Sequence, residues 1–148
     1  MNTVNCALIQ GDPTRIFELA SRVEDWPRLL PHYRSVEVLE TTTSDRLVFM
    51  HCSRHFGPFT WPCRWKARQE LVPIERRILF RHIAGPAKGM EVEWRLTPQP
   101  EGVLTEIHHQ LRHPLGPLYS DRIVGPLFVQ AIAGETLKTL KRIVEGER

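Results

Sequence analysis

Three histidines give this chain its clearest capacity for chemistry. His51, His82 and His109 sit in runs that alternate apolar and polar residues, and the alternation places each on the apolar side. A neutral imidazole in an apolar pocket can shuttle a proton or orient a ligand carbonyl. The plainer role is a core histidine satisfied by its neighbours. His82 and His109 belong to strands two apart, about 9–10 Å by strand spacing, which is too far for two imidazoles on one ion. No HExxH or CxxC pattern occurs, so neither a metal nor a cofactor is expected. Gln69 joins His82 and His109 as the third polar candidate for catalysis. Cys63 is expected opposite His51, a pairing that could supply a nucleophile and a base; small buried hydrophobe is the commoner role for a cysteine.

The elements that must position these side chains follow from periodicity and breakers. Residues 4–10 read as a strand, and Asp12-Pro13 opens a helix with Ile16, Leu19, Ala20 and Val23 on one face. Asp25-Trp26-Pro27 starts a second short helix, which Pro31 stops. Strand-like runs cover 33–40, 47–55, 59–71, 76–84, 89–96 and 103–112. Simple hairpins place Glu70 opposite Arg77, Arg81 opposite Glu93 and Arg95 opposite Glu106, three pairs of opposite charge. The same register puts Phe49 against Trp65 and His51 against Cys63. A helix over 126–145 carries an apolar stripe through Phe128, Ile132, Leu137, Leu140 and Val144. Gly134 inside it is either a close approach to a ligand or a tolerated glycine. The expected fold is α+β: a curved antiparallel sheet of six or seven strands around a long C-terminal helix, with two short helices after strand 1.

At 148 residues the chain fits a single domain, 1–148, with a full core. Three widely spaced cysteines suggest no disulfide framework, and no apolar run is long enough to span a bilayer. Residues 1–11 lack the pattern of a secretion signal, so a cytoplasmic setting is expected. A formal charge of +3 gives no reason to expect DNA. Arg64, Lys66 and Arg68 line the outer face of their strand. A solvated face is the default for such a ladder; an acidic lipid surface, a nucleic acid or a ribosome is the alternative.

In order and spacing, several segments resemble the helix-grip families grouped as START-like or SRPBCC proteins. More narrowly they resemble the polyketide cyclase/dehydratase and lipid-transport family, which includes coenzyme-Q-binding START-type proteins. The resemblance rests on Asp12-Pro13, Asp25-Trp26-Pro27 with Pro31 and Tyr33, Trp65, and segments 81–86, 90–94, 102–106 and 137–145. It implies a helix-grip fold with a hydrophobic cavity between sheet and long helix, holding a lipid, isoprenoid or polyketide. Aromatase/cyclases of the family carry Trp, Ser and Arg at alternate positions of the long strand. Here the pattern falls on Trp65, Ala67 and Gln69 or on Trp61, Cys63 and Trp65. Neither set supplies both hydroxyl and guanidinium, and without the cation a poly-keto chain is harder to polarise.

The expected function is therefore binding of a bulky hydrophobic molecule as carrier, chaperone or sensor. A polyketide cyclase, aromatase or dehydratase is the alternative, and a ribosome- or protein-associated interaction module the third reading. The expected cavity, about 300–1,000 Å³ as ligand sites usually are, is lined by Phe49, His51, Trp65, Phe80, Trp94, Ile107 and Ile132, with Tyr33 and Trp26 near its mouth.

Overall fold

The computed structural model describes residues 1–56 and 58–147, without the side chains of Arg54, His55, Phe56 and Trp61. The side chain of Trp61, the start of one tryptophan pattern, and the turn residue Gly57 thus lie outside what is described. Asp12 caps helix α1 (Pro13–Ser21), its carboxylate accepting from the Thr14 amide at 3.0 Å. A 3₁₀ turn, Val23–Asp25, leads into α2 (Trp26–Leu29). The Trp26 indole N–H donates to the Leu19 carbonyl at 3.0 Å, tying the two short helices together.

Seven strands form one antiparallel sheet: β1 (Asn2–Ile9), β2 (Tyr33–Thr41), β3 (Arg46–Phe56), β4 (Phe59–Val72), β5 (Arg77–Ala84), β6 (Glu91–Gln99) and β7 (Gly102–Gln110). The order is β1-β7-β6-β5-β4-β3-β2, so the first strand closes against the last. The C-terminal helix covers this sheet in three parts: α3 (Pro117–Tyr119), a π-helical stretch (Ser120–Ala133) and α4 (Gly134–Gly146). Its buried side chains include Phe128, Ile132, Leu137, Leu140 and Val144, the stripe expected from spacing.

The helix begins earlier than residue 126. Pro117, after Gly116 (φ 88°), takes the first position, and Pro126 lies inside the helix. A proline ring clashes with the carbonyl four residues back in an α-helix; the wider π turn relieves that conflict. Gly134 resolves to a tolerated glycine, since a Cβ there would find only the Val129 carbonyl, at 3.7 Å.

Strand register departs from the simple hairpins in an instructive way. Arg95 faces Glu106 as expected, but Glu70 faces Leu79 and Arg81 faces Glu91. The connection after β4 holds four residues, because the Pro73–Glu75 turn ends on Arg76 in the left-handed conformation (φ 52°). Arg77 still binds Glu93, but diagonally. Both displacements are of two residues, so every side chain keeps its face. In β3 the displacement is one residue: Met50 faces Trp65 and Cys52 faces Cys63. An odd slip reverses the faces, so Val48, Met50 and Cys52 turn to the core, while Phe49 and His51 go to the outer side.

Candidate functional site

Between sheet and C-terminal helix lies an apolar cavity of about 50 Å³, smaller than the expected ligand chamber. Trp65, Phe80, Trp94, Ile107, Ile132, Tyr33 and Trp26 all line it, as do His82 and His109. Phe49 and His51 do not, for the register reason above. Spacing alone missed Met50, Met90 and Phe128 in the lining. Met50 needed the true hairpin register, whereas Phe128 lies on the expected apolar stripe and reaches the cavity from the π-helical stretch.

The aromatic wall is ordered. Trp65 and His82 stack with ring centroids 5.7 Å apart and planes 9° apart. Phe128 meets both edge-on, at 5.2 and 5.4 Å. Trp26 packs against Tyr33 at 5.0 Å and Trp94 at 6.1 Å. Phe128 comes from the π-helical stretch and fills the space beside the Trp65–His82 stack.

Thr136 also lines this wall, but its hydroxyl is engaged by His32 Nε2 and the Ile132 carbonyl. The Nδ1 atoms of His82 and His109 are buried and have no hydrogen-bond partner among the described residues. Burial lowers the His82 pKa to about 3, with His109 adding to the effect. Burial, then His108, lowers that of His109 to about 4. Both rings are therefore neutral at pH 7 and hold unspent donor or acceptor capacity against apolar walls. The same pKa values make them weak bases.

The other candidates fall elsewhere. Gln69 is buried but points away from the cavity network. Its amide nitrogen donates to the Ser21 carbonyl at 2.8 Å, and its oxygen accepts from Arg46 Nε and Nη2 at 3.0 and 2.6 Å. Arg46 also binds Glu24 at 3.0 Å. A guanidinium thus does stand beside the long strand, but Gln69 and Glu24 occupy it, and neither Arg46 nor Gln69 lines the cavity. His51 lies beside Arg64 on the outer side, so it cannot serve Cys63 as a base. Burial pushes the Cys63 thiol up to about 11, which removes the thiolate that nucleophilic chemistry needs. A wider hollow of about 500 Å³ opens on the outer face of the sheet, among Arg68, Glu70, Arg81, Glu91 and Glu93. It is charged and open, the reverse of what an apolar ligand requires.

This architecture is the helix-grip fold: an antiparallel sheet wrapped on one long helix, with short helices after the first strand. Residues 9–133 match the family described as polyketide cyclase / dehydrase and lipid transport, and the chain belongs to that family. A Streptomyces halstedii relative that carries the name polyketide cyclase is 29% identical over 106 residues, covering 70% of this chain and 94% of that one. Among solved structures, an aromatase/cyclase from Streptomyces sp. R1128 superposes with a TM-score of 0.80 at 19% identity, over 98% of this chain and 93% of that one. A protein from Thermus thermophilus gives 0.79 at 20% identity, over 99% of each chain.

Proposed function

We propose that the protein binds one bulky, largely apolar molecule carrying one or two carbonyl or hydroxyl oxygens. A polyketide, isoprenoid or quinone has this chemistry. The observation that carries the reading is the pair of orphaned Nδ1 atoms in a mostly apolar wall. Buried polar groups are nearly always partnered, and a ligand oxygen would supply the missing partner. Since about 50 Å³ admits little more than a water, binding requires the π-helical stretch to move and withdraw Phe128. Family membership supports the class of ligand.

Cyclisation of a poly-keto chain is the second reading, supported by the name of the Streptomyces halstedii relative. The weak basicity of both imidazoles and the engaged state of Arg46 favour binding over it. Native mass spectrometry of protein purified from its own host tests the first reading: an apolar molecule should co-purify at one per chain. Ligand-free protein that speeds appearance of aromatic absorbance from a poly-β-keto thioester would favour the second.

A further inference from the structure

Positive charge is gathered at one end of this molecule. Segments 58–66, 84–90 and 111–125 hold five arginines and lysines and one carboxylate, Asp121. They carry +4 of a chain whose formal charge is +3, leaving the remainder at −1. The three segments meet. Gly85 (φ 115°) lies so close to β4 that a Cβ there would stand 2.8 Å from Trp65 Cβ and 2.9 Å from the Arg64 carbonyl. The next residue, Pro86, accepts a hydrogen bond from the Tyr119 hydroxyl at 2.8 Å. The Arg64–Trp65 part of β4, the β5–β6 loop and the start of the C-terminal helix therefore share one rim, beside the Trp65 wall of the cavity.

Large apolar side chains stand out from these segments. Phe59 is 73% exposed, Leu115 70%, Leu118 66% and Ile123 51%. Leu118 and Ile123 are five residues apart at the start of the C-terminal helix. Arg64, Lys66, Lys88, Arg112 and Arg122 are exposed and in no salt bridge among the described residues. Arg68, further along β4, is by contrast held by Glu40 and Asp45. Single exposed apolar residues need no explanation, but several on adjoining segments that also carry unpaired cations do.

We infer that this end docks on an anionic phospholipid bilayer, with Leu115, Leu118, Ile123 and Phe59 entering the interface and the cations meeting lipid phosphates. An acidic protein would satisfy the cations but gives no reason for apolar side chains on separate segments. A bilayer presents anionic headgroups directly above hydrocarbon, the two layers this rim complements. No helix among the described residues is long and apolar enough to cross a membrane, so the contact is peripheral. The inference goes beyond the cavity ligand and holds whatever molecule that site takes.

The test is flotation of the full chain with phosphatidylcholine vesicles, with and without about 30% phosphatidylglycerol, at low and high salt. The wild type should partition onto the anionic vesicles about tenfold better than onto the neutral ones, and high salt should weaken it. Leu118→Ser with Ile123→Ser should reduce binding by about tenfold or more. Lys88→Glu with Arg112→Glu should abolish the preference for anionic lipid. All four positions are exposed, so an unchanged melting temperature should accompany each loss. No flotation with anionic vesicles, as when the true partner is an acidic protein, would overturn the inference. So would flotation that both double variants leave intact.

Discussion

His82 lies flat against Trp65, planes 9° apart, yet its Nδ1 has no partner. The stack fixes the ring without satisfying it. A side chain packed this closely, with one polar atom left over, is suited to reading a ligand oxygen. His109 leaves a second Nδ1 unpartnered in the same lining.

His82→Phe and His109→Phe should each weaken binding of the native ligand by about five- to tenfold, the worth of about 1 kcal/mol for one hydrogen bond. Stability should hold or rise, because an unsatisfied buried polar group is replaced by an apolar ring. Titration by tryptophan fluorescence beside thermal melts checks both. Unchanged affinity in both variants would reduce the pair to core residues.

Acid should destabilise the protein in a defined window. Both folded pKa values, about 3 and about 4, lie below the usual 6.5. As pH falls below 6.5 the unfolded chain takes up protons that the folded core refuses. Stability is thus complete above 6.5 and is lost down to the folded values. By pH 5 the loss is about 2 kcal/mol per histidine. Denaturant melts at pH 7.5 and pH 5 should show it, and the double Phe variant should lose most of the difference. An equal acid sensitivity in that variant would place the titration elsewhere.

Much of this site was legible in sequence because it depends on parity. Trp65, Phe80, His82, Trp94, Ile107 and His109 keep their face under any even slip, and the two wrong registers in β4–β5–β6 were even. Opposite charges could not tell those registers apart, because a long guanidinium such as that of Arg77 reaches a carboxylate two positions away. Phe49 and His51 failed because the β3–β4 register differs by one residue from the simple hairpin, and an odd slip reverses faces. Pro126 misled for another reason. The rule for proline at a helix start is sound, but it applied to Pro117; no local signal announces a π-helical stretch that tolerates an interior proline. Gln69 looked catalytic only because sequence cannot show that its amide is already committed.

That commitment is testable. Gln69→Leu should leave the Ser21 carbonyl without this donor and remove one acceptor from Arg46, costing about 1–3 kcal/mol. Ligand affinity should be unchanged, since Gln69 does not line the cavity. A large loss of affinity at full stability would return Gln69 to the site.

Phe128→Ala tests whether that side chain is the plug. Its ring is buried against Trp65 and His82, so truncation should cost about 3–5 kcal/mol, a large share of the 5–15 kcal/mol a domain usually has. The vacated space joins a cavity of about 50 Å³. Apolar cavities near 150 Å³ stay dry and take up benzene, so the variant should gain melting temperature on adding benzene or indole while the wild type does not. Native ligand should also associate faster, because the ring no longer has to be withdrawn. If the variant melts lower yet gains nothing from either probe, the helix has collapsed into the gap, and Phe128 is core packing rather than the residue that holds the site closed.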